Sequence, residues 1–148
     1  MIINKEKFKL SIAELLMVIL SVLFMIGIRT WFAVCPVMSE TIMSCHWAGE
    51  VLKALSILLA AVSVIHIICP DWRLKIGIDI PMFCICILTA FIPGGLINLC
   101  MMEEMACRSQ TKLWTIIISI ALIIVILADI IICASAVSKE KHGRKALS

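Results

Sequence analysis

Four long apolar segments constrain this chain more than any other feature of its sequence. They cover residues 8–28, 47–69, 76–97 and 113–137, and each approaches or exceeds the roughly 20 residues that a helix needs to cross a bilayer. Backbone polar groups in lipid must be hydrogen-bonded within the protein, so each segment is predicted to be a helix. With 63% of its 148 residues hydrophobic, the chain holds more apolar surface than a soluble domain of this length can bury. We predict an all-α, polytopic membrane protein with four transmembrane helices in a single domain.

The positions of the Lys and Arg residues predict how these helices are oriented. Nine of the thirteen basic residues fall in the N-terminal segment, the connection 70–75 or the C-terminal tail 138–148, whereas the loops 29–46 and 98–112 hold three. The positive-inside rule therefore places both termini in the cytoplasm, in a multi-pass protein of the cell membrane. Attraction to anionic lipid explains the net charge of +3, so the bilayer is the expected partner and nucleic acid is not.

The two outer loops resemble each other, which suggests an internal repeat. In the first loop, Cys35 is followed by Met-Ser-Cys45 and a basic residue, and in the second, Cys100 is followed by Met-Ala-Cys107 and a basic residue. Repeats in corresponding places of two halves are common in membrane folds. We therefore expect two similar hairpins, helices 1–2 and 3–4, packed as a four-helix bundle.

The four cysteines of these loops would lie on the oxidising side of the membrane, which favours two disulfides. Three pairings are open; proximity favours Cys35–Cys45 with Cys100–Cys107, and cross-hairpin pairing is the alternative. Each local bridge would stabilise its loop by about 2–3 kcal/mol. The other four cysteines are expected to be small apolar packing residues: Cys69, Cys84, Cys86 and Cys133.

A redox function is an alternative for the outer cysteines. Quinone-coupled thiol–disulfide oxidoreductases with four helices share this layout, and in such an enzyme Cys45 would attack while Cys35 resolved the mixed disulfide, with Cys100 and Cys107 as the second pair. However, the sequence has no Cys-x-x-Cys motif, the usual reactive pair. We therefore favour a non-enzymatic protein without a cofactor.

A polar cluster is predicted where helix 2 begins. His46 and Glu50 are four residues apart and Lys53 follows three residues later, so the three share one helix face. We interpret the cluster as an interfacial group that fixes the entry of helix 2, with a docking or ligand point as the alternative. Outer Cys, Met and His side chains could bind Cu(I) or Zn²⁺, but oxidised cysteines cannot act as thiolate ligands, so no metal site is predicted there.

Two ionisable residues lie deeper, at a depth where charge is costly and therefore marks a functional candidate. His66 and Asp129 are predicted to pair, with Glu14 at comparable depth, whereas Asp79 followed by Pro81 is interpreted as the start of helix 3. The preferred interpretation of the pair is a polar clasp between helices. The alternative is a proton or cation path, which would make the protein a small metal or solute carrier.

The loop motifs resemble a family of small, uncharacterised bacterial four-helix membrane proteins, a domain-of-unknown-function family. These carry Met-x-Cys-His-Trp before the second helix and Cys…Met-x-Cys before the fourth. The resemblance marks its signature residues as Cys35, Cys45, His46, Trp47, Cys100 and Cys107. Members are similar to accessory proteins found beside permease-type ATP-driven exporters, which implies a partner subunit. The first expectation is thus a non-enzymatic accessory subunit with disulfide-braced extracytoplasmic loops.

Overall fold

The computed structural model describes the backbone of residues 2–31, 44–97 and 110–146, and the side chains of residues 12–31, 46–97 and 110–139. Four helices occupy this part of the chain, in the order α1 Ile2–Thr30, α2 Ser44–Ile68, α3 Trp72–Phe91 and α4 Lys112–Ala146. Each contains a span long and apolar enough to cross a membrane, and none of the described residues belongs to a β-strand. The prediction of an all-α protein with four transmembrane helices is confirmed. The orientation of the termini stays a prediction.

The helices pack as a ring in which each contacts its two neighbours. α1 packs against α2 and α4, and α3 packs against α4 and α2, with the closest packing within the pairs α1–α2 and α3–α4. We call the end of the bundle that holds residues 69–71 the connection end, and the opposite end the loop end. The core between the helices is built largely from long apolar side chains: Met17, Phe24, Leu52, Leu59, Met82, Leu122 and Ile126.

The outward faces are also apolar, as expected of helices in contact with lipid. Leu15, Ile65 and Ile131 expose 57%, 52% and 68% of their surface, respectively. A soluble protein of this size would not leave so many aliphatic side chains exposed. In lipid their exposure costs nothing, because acyl chains are as apolar as leucine.

Helix α3 lies closer to the connection end than the sequence predicts. It begins at Trp72 instead of residue 76 and ends at Phe91 instead of residue 97, so residues 69–71 alone connect it to α2. Pro70 cannot continue α2, and Asp71 is extended, which permits an immediate helix start. Beyond Phe91, Gly94 has φ +90°, a conformation that favours glycine, and it turns the chain away from the helix axis. Asp79 is therefore inside α3; its interpretation as the start of the helix is wrong.

The other helices differ from their predicted limits mainly where they run past the apolar segment. α1 begins at Ile2 instead of residue 8, and α4 continues to Ala146, so much of the predicted basic tail is helical. The predicted loops lie mostly outside the described residues, since residues 32–43 and 98–109 are not among them. The internal repeat and the disulfides predicted for these loops thus concern a part of the chain that the structure does not describe.

Candidate functional site

Five ionisable side chains are buried near the connection end of the bundle. His66 lies in the last turn of α2, Lys75 in the first turn of α3, and Asp79 one turn later on the same face of α3. Glu14 of α1 and Asp129 of α4 complete the group, and none of the five exposes more than 9% of its surface. Every helix of the bundle thus contributes at least one buried ionisable side chain at this end.

Three of these residues form a compact cluster, which we call the His-Asp-Asp cluster: His66, Asp79 and Asp129. The Nε2 atom of His66 is 3.1 Å from Oδ1 of Asp79 and 3.4 Å from Oδ2 of Asp129. Each residue offers one atom that could bind a metal ion, a ring nitrogen of His66 or a carboxylate oxygen of Asp79 and Asp129, and these three atoms lie within 4.8 Å of one another. The three residues expose 0–1% of their surface and come from α2, α3 and α4, so the cluster joins three helices in the interior of the bundle.

The cluster leaves most of its polar atoms without a hydrogen bond. Although Nε2 of His66 is within ion-pair distance of both carboxylates, the atoms are not aligned for hydrogen bonding. Within the described part of the chain, both nitrogens of His66, both oxygens of Asp79 and Oδ1 of Asp129 have no hydrogen-bond partner. Asp129 Oδ2 accepts a hydrogen bond from the Cys133 thiol, with the sulfur 3.7 Å away. Buried polar atoms are normally paired, so this concentration of free lone pairs needs an explanation.

A buried salt bridge lies beside the cluster. Lys75 Nζ donates to Glu14 Oε1 and joins α3 to α1, two helices on opposite sides of the ring. Because Lys75 is one turn before Asp79, the salt bridge lies between the cluster and the connection end. Its two charges cancel. The carboxylates of Asp79 and Asp129 are therefore not neutralised by Lys75.

The structure also brings together part of the predicted cluster at the start of α2. Lys53 Nζ donates to Glu50 Oε1 at 2.7 Å, and both side chains are exposed, at 39% and 48%. His46 makes an edge-to-face contact with the indole of Trp47, with the ring centroids 6.2 Å apart. These residues lie at the loop end, well apart from the buried cluster.

The predicted pairing of His66 with Asp129 is present, but sequence reasoning missed Asp79 as the third member. Asp71 directly before Trp72 is a sequence signal for an earlier helix start, and that start would have placed Asp79 two turns inside the span. Cys133 was expected to be a packing residue, and it is buried, but its thiol also contacts Asp129. The side chains of the predicted disulfide and redox residues lie outside the described part of the chain: Cys35, Cys45, Cys100 and Cys107.

Comparison with known proteins identifies the family. Residues 17–132 match the family described as a domain of unknown function, DUF4418, and this range contains the whole His-Asp-Asp cluster. Since the match covers most of the chain, the protein belongs to this family, in agreement with the resemblance to a family of unknown function. No curated protein and no solved structure matches the chain.

Proposed function

We propose that this member of the DUF4418 family is a multi-pass membrane protein that binds a small cation at the His-Asp-Asp cluster. The observation that carries the proposal is the convergence of three fully buried ligand groups from three helices, with their ligand-type atoms within 4.8 Å of one another. Ionisable groups at this depth are costly and typically mark ion or substrate sites.

Charge balance supports a cation. The Glu14–Lys75 salt bridge is neutral by itself, which leaves the carboxylates of Asp79 and Asp129 with a single imidazole between them. Removing two carboxylates from water costs several kcal/mol for each, and attraction to a nearby positive charge offsets that cost. A bound cation supplies this charge at the point where both carboxylates already face His66.

A structural clasp between helices is the competing explanation. One Asp–His pair is enough to join two helices, and a purely structural network would be expected to pair its buried atoms. Here a second carboxylate enters the same site, and neither oxygen of Asp79 has a hydrogen bond within the described residues. The convergence of one nitrogen and two carboxylate oxygens within 4.8 Å of one another favours a cation site over a clasp.

The cluster lies much closer to the connection end than to the loop end. Asp79 is about 10 Å along α3 from its first residue, whereas Asp129 is about 25 Å along α4 from the loop end. Between the cluster and the loop end, the core is built from apolar side chains such as Phe24, Leu59 and Leu122, with buried hydroxyl groups among them. We infer a cation-binding protein or a small cation carrier in which passage across the bundle would require the helices to move.

Other functional predictions are compatible with this proposal. The accessory role beside an ATP-driven exporter, which the family resemblance implies, stays a prediction, as do the disulfide-braced loops and the redox alternative. A cation site in the bundle could serve a carrier or a subunit that responds to the ion.

Equilibrium dialysis of the detergent-purified protein, without a His tag, tests the proposal. The protein is dialysed against Zn²⁺, Mn²⁺, Mg²⁺, Ca²⁺ and Na⁺ in turn, and bound ions are measured by elemental analysis. We expect about one cation per chain in the wild type and a large loss in Asp79→Asn and Asp129→Asn. Glu50→Gln is the matched control, because Glu50 is an acid of the same bundle in an exposed salt bridge, and it should bind like the wild type.

Two results would contradict the proposal. The wild type could bind none of the five cations, or the two Asp variants could bind as well as the wild type. Circular dichroism and a melting curve for each variant separate a lost ligand from a lost fold. Because the wild-type measurement requires no substitution, the proposal stays testable even if a variant unfolds.

A further inference from the structure

We infer that the cation is a divalent transition metal of the zinc class, and that Cys133 positions Asp129 to bind it. This inference rests on the proposed function, and it adds the chemical class of the ion and one further residue.

The two distances from the imidazole to the carboxylates are close to those of four-coordinate geometry. Zinc–nitrogen and zinc–oxygen bonds are about 2.0–2.2 Å long, so two such ligands on a tetrahedral ion are about 3.3 Å apart. The separations from His66 Nε2 are 3.1 Å to Asp79 Oδ1 and 3.4 Å to Asp129 Oδ2. Octahedral Mg²⁺, with bonds of similar length, would require adjacent ligands about 2.9 Å apart. The two distances from the imidazole are therefore closer, on average, to those of a four-coordinate ion, and the remaining pair of donor atoms lies within 4.8 Å.

The donor atoms point to the same class of metal. Imidazole is a ligand of zinc, copper, iron and nickel, whereas Mg²⁺ and Ca²⁺ prefer six or more oxygen ligands. The cluster provides one imidazole and two carboxylates, and three protein ligands with one open position is the usual pattern of a zinc site that exchanges a ligand. A divalent ion with two aspartates and a neutral imidazole has no net charge. A monovalent ion would leave one buried carboxylate uncompensated.

Cys133 contacts the carboxylate oxygen that faces the imidazole. It lies one turn after Asp129 on α4, and its thiol donates to Asp129 Oδ2, the same oxygen that is 3.4 Å from His66 Nε2. This bond restricts rotation of the carboxylate without adding charge, because the sulfur keeps its proton. Residues that orient a metal ligand typically change metal affinity by about 10–100-fold when they are removed. Cys133 is therefore a positioning residue.

Competition binding on the purified full-length protein tests the class of ion. We expect Zn²⁺ and Co²⁺ to bind at least about a hundredfold more tightly than Mg²⁺ or Ca²⁺, and bound Co²⁺ to show the intense visible absorption of a four-coordinate complex. If Mg²⁺ or Ca²⁺ binds as tightly as Zn²⁺, this inference is overturned and the proposed function stands. If no cation binds, both fail.

Substitution of Cys133 tests its role. Cys133→Ala should weaken Zn²⁺ binding by about tenfold and change the Co²⁺ spectrum, whereas Cys133→Ser, which keeps a donor, should restore both. Cys86→Ala is the matched control, since Cys86 is a fully buried thiol of α3, and it should leave affinity and spectrum unchanged. Equal affinities and spectra for the wild type and Cys133→Ala would overturn the positioning role, and so would an equal loss in the Ala and Ser variants.

Discussion

The two ends of this bundle bury polar side chains of different kinds. At the connection end the buried polar groups are mainly charged, and they contact side chains of other helices: Glu14 with Lys75, and His66 with both aspartates. Toward the loop end they are hydroxyl groups, and those of Ser56, halfway along α2, and of Thr89 donate to carbonyl oxygens of their own helices. The charged groups link the helices to one another, whereas these hydroxyls do not.

The difference follows from the hydrogen-bonding capacity of each group. A hydroxyl can donate to the carbonyl oxygen three or four residues earlier, so a buried Ser or Thr in lipid needs no neighbour. An ionised carboxylate only accepts, and the helix interior offers it no free N–H group. Apart from a side-chain donor one turn away, such as Cys133 for Asp129, it must therefore find a partner on another helix or bind a cation. The ionisable groups of the connection end therefore link the helices to one another, and three of them form the proposed cation site.

The largest expected effect on stability comes from leaving a charge unpaired at the connection end. Lys75→Met removes the partner of buried Glu14, and breaking a buried ion pair typically costs about 3–5 kcal/mol. The double variant Glu14→Gln, Lys75→Met should recover much of this loss, because no charge is left alone. Reversible unfolding in mixed detergent micelles, followed by circular dichroism, gives the free energy of unfolding for each protein.

Lys53→Met is the control for that comparison. Lys53 also forms a salt bridge with a glutamate, but on an exposed surface within one helix, so its loss should not measurably change the free energy of unfolding. If Lys53→Met and Lys75→Met were equally harmful, burial would not be the factor that separates the two ends.

The second prediction concerns stabilisation by the ion. A ligand that binds the folded state alone stabilises it by about 2.7 kcal/mol at a concentration one hundred times its Kd. Zn²⁺ should therefore raise the unfolding free energy of the wild type and of Glu50→Gln by this amount. In Asp129→Asn the increase should be lost. An increase in Asp129→Asn as large as in the wild type would place the stabilising ion elsewhere.

Part of this arrangement could be predicted from the sequence. The apolar segments predicted four helices, and the isolation of His66 and Asp129 within two of them predicted that they pair. Asp79 could not be recognised as buried because its depth depends on where α3 begins. Pro81 suggests a helix start near residue 79, whereas α3 begins directly after Pro70 and Asp71 and contains Pro81. The salt bridge between Glu14 and Lys75 depends on the order of the helices around the ring, which hydropathy does not encode.

A smaller effect is expected for the hydrogen bond between Ser21 and Ser63. The two hydroxyl oxygens are 3.0 Å apart and join α1 to α2, and Ser63 also donates to the carbonyl oxygen of Leu59. Because that acceptor occupies the Ser63 proton, Ser21 is the donor. Ser21→Ala should cost about 0.6 kcal/mol, the average for hydrogen bonds between transmembrane helices. A loss as large as that of Lys75→Met would show that hydroxyls can determine helix placement too.

The smallest effect is expected for Thr89→Val at the loop end. Thr89 is fully buried, but its hydroxyl donates to the Ile85 carbonyl oxygen at 2.7 Å, within its own helix. Valine has the same shape, and the Ile85 carbonyl keeps its helical hydrogen bond, so no polar group loses its only partner. The free energy of unfolding should change by no more than about 0.5 kcal/mol, less than for a hydrogen bond between helices. A loss above about 1 kcal/mol, beyond that average, would mean that the hydroxyl also stabilises a contact with another helix. The buried hydroxyls of the loop end would then hold the bundle together as the charged groups of the connection end do.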